Sequence, residues 1–393
     1  MVYTSLMTKP PNESLNEFIA EFPIPKDSIL MNNAGIAPLP RSAERAIQST
    51  ISKFQNEVHF DHPSLFKIVE DCRESLGRLI NCPTNRLALT SNCASAISFV
   101  AFGLKYKKGE KIIIWDQEYP SNAYPWSEAA RRSEAEIEIL KSDESLDLDH
   151  QKLIERIKPG VRVVALSWVQ FQSGVTSPLK EIARACRKVG AYLVVDVIQG
   201  VGVIPFDFKD SGVHAACGGS HKWLSGPLGS GFLALSDELF ENLEPIVIGA
   251  NTYNAIGNPF DINTPWFADA RRFEPGAAAI LNLAGWKASI DLYLKCGVEN
   301  IHRQSMKLSR FLYEELNQRG FQILGTRDLD MRESPIITFR SKSDSIRDKL
   351  YETLKNNRVA FSPRGGGIRF SPHGFNTASE AQQLLKIMDR VSG

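Results

Sequence analysis

The stretch from Tyr192 to Leu235 restricts this chain more than any other. Tyr192-Leu193-Val194-Val195 is an apolar run that ends on Asp196, and Val197-Ile198-Gln199-Gly200 follows. Consecutive aliphatic and β-branched residues bounded by polar ones predict a strand buried on both faces. An acid at the C-terminal end of such a strand stands where open α/β sheets bind their ligands. A short crossover later comes Gly218-Gly219-Ser220-His221-Lys222-Trp223, which runs into Gly226-Pro227-Leu228-Gly229-Ser230-Gly231. A solitary Asp and a solitary Lys would read as a turn cap and a solvated charge. Lys222, between His221 and Trp223 and amid small residues, is in unusual company for a surface lysine.

An acid and a lysine placed in this way suit pyridoxal 5'-phosphate (PLP). The lysine forms a Schiff base with the cofactor's aldehyde. The acid keeps the pyridinium nitrogen protonated, so that the ring withdraws electrons from a carbanion.

The rest of the chain agrees with an α/β enzyme. Strands are predicted at Arg86–Thr90, Lys111–Trp115 and Val161–Ser167, and a helix from Pro178 to Val189 closes on Gly190. Their alternation implies a largely parallel, doubly wound sheet. After the first strand, Ser91-Asn92-Cys93-Ala94-Ser95-Ala96 opens an apolar helical pattern, a place for a phosphate held by backbone amides and the helix dipole. After the second, Tyr119 could stack on a planar cofactor. The Gly226–Gly231 run precedes a strand, Phe232–Leu235, and has no Gly-Lys-Ser/Thr ending, which speaks against a nucleotide loop. At Ile29-Leu30-Met31-Asn32-Asn33-Ala34-Gly35, small side chains let a ligand approach the backbone.

With 393 residues the chain exceeds one core, so a large domain and a smaller one are expected. The reading assigns 1–30 to an arm packed on the small domain, 31–275 to the large domain and 276–393 to a small α+β domain. Residues 241–275 read as irregular. Helices are predicted at 277–294, 301–316 and 345–354, strands at 321–324 and 335–339, and a capping box at Thr377 and Glu380. Arg369 lies on a short apolar run, where an unpaired guanidinium is costly. It either holds a substrate carboxylate bidentately or pairs with an acid of the chain. A net charge of +1 argues against a polyanion partner. The absence of a long apolar run or of an apolar leader in Met1–Pro11 makes a cytoplasmic enzyme the expectation. Six cysteines without C-x-x-C spacing read as reduced structural thiols, and no metal site is predicted.

These motifs together resemble the class V aminotransferase family of fold-type I PLP enzymes, which includes cysteine desulfurases, cysteine and cystine lyases, isopenicillin N epimerase and kynureninase. The similarity runs from Asn32-Asn33-Ala34-Gly35 to Ile368-Arg369-Phe370-Ser371-Pro372-His373. It is carried most specifically by Asp196 with Gln199, by His221-Lys222-Trp223 with Gly226-Pro227 and Gly229, and by Arg369. The resemblance implies that Lys222 is the Schiff-base lysine and proton shuttle, and that Asp196 is the pyridinium partner. Gln199 would contact the ring's phenolic oxygen, with Gln172 nearby, and Tyr119 would stack on the ring. Cys93, Ala94, Ser95, Ser220 and His221 would bind phosphate. Arg369, with Ala34 and Gly35, would meet the substrate. Glu274-Pro275-Gly276-Ala277 resembles a segment that reaches the neighbouring subunit's phosphate, so a homodimer with shared sites is implied.

Three hydroxyl positions of the family pattern are missing, at Gly219, Ala94 and Ala277. No cysteine lies between Cys296 and Arg369, so a persulfide-forming desulfurase is not expected. Transamination is the leading expectation, with a C–S lyase or an epimerase as alternatives. An idle binding module on the same fold is the alternative of another class.

Overall fold

The structure, a computed structural model, describes residues 13–57, 62–254, 258, 260–261, 263–326 and 332–391. The first twelve residues of the expected arm and parts of the irregular 241–275 stretch lie outside the described residues.

A two-residue strand, β1 (Ile29–Leu30), precedes the main sheet. The main sheet comprises β2 (Leu87–Thr90), β3 (Lys111–Trp115), β4 (Glu136–Leu140), β5 (Val161–Ser167), β6 (Tyr192–Asp196), β7 (Ala215–Gly219) and β8 (Gly231–Leu235). Its spatial order is β2-β8-β7-β6-β5-β3-β4. The pairs from β7 to β4 are parallel, and β8 runs antiparallel to both of its neighbours. Period-two alternation splits β6 between two cores: Leu193 and Val195 face one, Tyr192 and Val194 the other. This is the α/β architecture expected, with buried strands and helices on both faces.

Two strands depart from the reading. β4 is an edge strand, Glu-Ile-Glu-Ile-Leu, in which only Leu140 is buried and Glu136 and Ile139 are exposed. β7, Ala-Ala-Cys-Gly-Gly, has no β-branched residue and forms a strand because β6 and β8 supply partners on both edges. The helices Arg41–Asn56, His62–Ile80, Pro120–Ser133 and His150–Arg156 are likewise additions to the reading.

The second core gathers around β9 (Gln322–Ile323), β10 (Ile337–Arg340), β12 (Ser362–Arg364) and β13 (Gly367–Phe370), an antiparallel sheet in the order β12-β13-β10-β9. Between them, β11 (Val359–Ala360) pairs in parallel with β1, so residues 29–30 pair with the C-terminal part of the chain. The helix Ile280–Cys296 sends Leu283, Trp286, Ile290 and Tyr293 into the core beneath the main sheet. The N-terminal helix Glu13–Ala20 packs on that same helix, with Phe18 edge-on to Tyr293 and stacked with His373. Thr377 and Glu380 form the capping box of the last helix, Ala378–Asp389. Among the described residues no helix is long and apolar enough to cross a membrane.

Candidate active site

Asp196 closes β6 and is buried, its Oδ1 accepting the Ile198 amide at 2.9 Å. The Cys93 thiol faces the same carboxylate. Burial holds the carboxyl above the ordinary range, against the Ile198 bond and the charge of Lys222. Lys222 follows β7 at the loop Ser220–Ser225, and its Nζ stands 5.5 Å from the centroid of the Tyr119 ring. Burial pushes its ammonium down to about 8; Asp196 opposes this, and Arg369 and Arg364 add to it. The sequence-predicted acid and lysine are therefore brought to one place, at the C-terminal ends of β6 and β7.

Tyr119 stands at the start of the helix Pro120–Ser133, edge-on to Phe171 at 5.1 Å. Behind it lies a residue to which the sequence reading gave no role. Glu118 is buried, and its carboxylate accepts from Ser167 N at 3.0 Å, Ser167 Oγ at 2.6 Å, Gln170 Nε2 at 2.8 Å and Asn122 Nδ2 at 2.8 Å. Four donors stitch the Tyr119 turn to the end of β5. The one hint in the sequence is an acid at a helix start with Asn122 four residues on.

At the predicted phosphate end, Asn92 caps the helix Cys93–Gly103 by accepting Ser95 N at 2.8 Å. Its Oδ1 also takes the Ser95 hydroxyl at 3.1 Å. The Ser95 amide is thus committed, whereas the Cys93 and Ala94 amides have no acceptor among the described residues. Gly231 lets this loop press against β8, since a Cβ there would lie 2.6 Å from the Asn92 carbonyl carbon. The missing hydroxyl at Gly219 also has a physical reason: a Cβ there would sit 2.9 Å from Ile198 Cδ1, which fills that space.

Ser220 requires a correction. Its hydroxyl is fully buried and donates to the carbonyls of Pro227 and Ser230, and its amide donates to Ser230 as well. It closes the turn between β7 and β8 and does not present a phosphate ligand. His221 is half-buried, and burial followed by the Lys222 charge pushes it down to about 4, so the ring is neutral at pH 7. Gln199 bridges two elements, donating to Ala34 O at 3.1 Å and accepting Trp223 Nε1 at 2.9 Å, which leaves one Nε2 hydrogen free of these partners. Gln172 spends its amide on Gln117 Oε1 at 2.8 Å, beside the Tyr119 turn.

Arg369 is buried on β13. Nη1 donates to Phe171 O at 2.7 Å, Nη2 to Asn32 Oδ1 at 3.3 Å and Ser362 Oγ at 3.4 Å, and Nε has no acceptor. No acid among the described residues pairs with it, so the structural ion pair left open by the sequence is not made. Gly35 assists, because its missing Cβ leaves room for the Asn32 amide 2.8 Å away. Ala34 is buried, its amide donating to Ser371 Oγ at 3.0 Å. Glu274 is turned inward onto Arg73 and accepts Leu89 N at 2.8 Å, whereas Ala277 is exposed. No cluster of three potential metal ligands occurs among the described residues.

The aminotransferase class-V family model matches residues 29–365. The chain belongs to that family. Among its relatives are a probable cysteine desulfurase from Methanothermobacter thermautotrophicus, 25% identical over 95% of this chain and 97% of that one. An isopenicillin N epimerase from Streptomyces clavuligerus is 26% identical, over 92% of this chain and 94% of its own. Similar solved structures include an apo cysteine desulfurase from Thermococcus onnurineus, with a TM-score of 0.86 and 23% identity, covering 95% of this chain and 97% of that one. Another is a mutant of C-DES with glycine covalently linked to the PLP cofactor, with a TM-score of 0.87 and 24% identity, covering 95% and 98%. The protein is a PLP-dependent enzyme of fold type I.

The residues present fit that cofactor. A buried carboxylate with no basic side chain bonded to it is costly, and Asp196 has such an opening for a ring N–H. Lys222 supplies an amine that is substantially neutral near pH 8. The amides of Cys93 and Ala94, at a helix N-terminus, suit a phosphate.

Proposed function

We propose that this enzyme is an aminotransferase for an α-amino acid, with Arg369 holding the substrate's α-carboxylate and Lys222 moving the proton at Cα. The observation that carries the reading is the buried Arg369, which has an Nε without an acceptor and no acid partner. A guanidinium so placed suits a bidentate carboxylate. When bound, PLP supplies the electron sink that stabilises charge developing at Cα. Lys222 is the base suited to the work, since His221 and His373 are pushed down to about 4 and are poor proton acceptors at pH 7. One base on one face favours taking and returning a proton on the same side, as transamination needs, over epimerisation, which delivers a proton to the opposite face. All six cysteines are buried, which disfavours a thiol that carries persulfide.

A homodimer is part of the proposal. Ile51, Phe54, Ala278, Ile280 and Leu281 line an apolar groove beside the exposed Ala277, and Leu228 is exposed nearby, where Asn282 Nδ2 bonds its carbonyl at 2.6 Å. A second copy laid there would bring the 275–277 segment toward its neighbour's site. A cytoplasmic location remains part of the same reading.

The test is an absorbance titration of the purified protein with single amino acids. Transamination predicts a visible band that disappears into a stable amino form and returns only when a keto acid is added. Return of the band with release of ammonia and no acceptor would establish a lyase instead. Arg369→Leu is expected to raise KM by about two orders of magnitude while the visible band is retained. Loss of the cofactor in that variant would make Arg369 a structural residue.

A further inference from the structure

A second arginine shares the face of the hairpin that presents Arg369. β12 and β13 are joined by Gly365 and Gly366, with φ of 59° and 74°, the left-handed pair that a tight two-residue hairpin turn demands. This turn sets the register: Ser362 lies opposite Arg369, and Arg364 opposite Gly367. Side chains two apart on a strand point the same way, so Ser362 and Arg364 lie on one face with Arg369, Arg364 as its diagonal neighbour. The contacts agree. Arg369 Nη2 reaches Ser362 Oγ at 3.4 Å, and the Arg364 guanidinium stands 5.9 Å over the ring of Phe171. Phe171 is the residue whose carbonyl holds Arg369 and whose ring meets Tyr119.

Arg364 has no acid within ion-pair reach among the described residues, and its Nη1 donates to its neighbour's carbonyl, Pro363 O, at 2.9 Å. Arg340, close by, is spent on the carbonyls of Gly365 and Glu144. Arg364 and Arg369 thus share one face of the hairpin and the contact with Phe171, and the charge of Arg364 is felt at both Arg369 and Lys222. The acid facing them, Asp196, is directed at the cofactor ring. A single α-carboxylate would occupy Arg369 and leave the exposed Arg364 with solvent and the Pro363 carbonyl as its partners.

We propose that Arg364 receives a second carboxylate, so that the substrate is a dicarboxylic amino acid or its dicarboxylic keto counterpart. The inference rests on the reading that Arg369 holds the α-carboxylate, and it assigns specificity to a residue five positions earlier on the same hairpin.

Two sources of the second carboxylate, a short acidic side chain and the far end of a longer diacid, are separated by chain length. Holoprotein is titrated with succinate, glutarate and adipate, and with butyrate as the monoacid, none of which can react. Binding is read from the shift of the visible band and from thermal stabilisation. The expected result is at least about tenfold tighter binding of one diacid than of butyrate, falling to near parity in Arg364→Gln and partly restored in Arg364→Lys. Wild-type protein that binds butyrate as tightly as every diacid, or binds no diacid, would overturn the proposal. So would an Arg364→Gln variant that keeps the wild-type ratio. A protein with no visible band under any amino acid would fail the parent reading. A band that responds only to neutral monocarboxylic amino acids would fail this inference alone.

Discussion

Replacing Lys222 by alanine is expected to lower turnover by about 10³-fold or more, because in the proposed mechanism the same amine captures the cofactor and moves the proton at Cα. The loss should appear in kcat, and the visible band should change with it. A pH profile adds a sharper check. The neutral amine is the nucleophile, and burial pushes the Lys222 ammonium down to about 8. Capture of pyridoxal aldehyde by the apo-protein should therefore rise with pH up to about 8 and then level off. A solvated lysine would keep climbing to its ordinary value near 10.5. Retained turnover in Lys222→Ala, or a profile that rises past pH 10, would remove Lys222 from the chemistry.

The second large effect is expected at Asp196. Asn at this position keeps the shape and the acceptor for the Ile198 amide but removes the charge. Loss of one member of a buried charge pair costs about 3–5 kcal/mol, so kcat should fall by about 10²- to 10⁴-fold while the protein still binds PLP. Asp196 also favours the charged form of Lys222. Its neutralisation should move the capture profile to lower pH, since the ammonium loses a stabilising neighbour. An Asp196→Asn variant with an unmoved profile would mean that the two groups do not interact, and unchanged kcat would sink the role assigned to the acid.

Asp196 and Lys222 were legible in the sequence because each sits at the end of a segment whose character is local: an apolar run, then a turn rich in small residues. Arg369 was legible for a similar reason, as a charge on a short apolar strand. What was not legible depends on who arrives from elsewhere. The Ser220 hydroxyl looks available in the sequence, but its single proton is directed at the carbonyls of Pro227 and Ser230. Glu118 looked like an ordinary acid at a helix start, and only the end of β5 makes it a four-donor anchor. β7 lacks every residue that favours a strand, and pairing on both sides supplies what its composition does not. Ile198 occupies the space of a hydroxyl that the family pattern led one to look for at Gly219.

The interlock of residues 29–34 with 359–376 bears on how this enzyme comes into being. Asn33 Nδ2 bonds Ser371 O across 338 residues, and Asn376 returns to Leu30 O across 346. Contacts of such separation form late, because nothing local rewards the closure of so long a loop. During synthesis the segments that carry Asp196 and Lys222 leave the ribosome while the partner segment of Asn32 is still untranslated. A nascent chain that ends before Val359 therefore has its lysine and its acid but no Arg369. The hairpin that presents Arg369 is completed only after the acid and the lysine are already outside the ribosome.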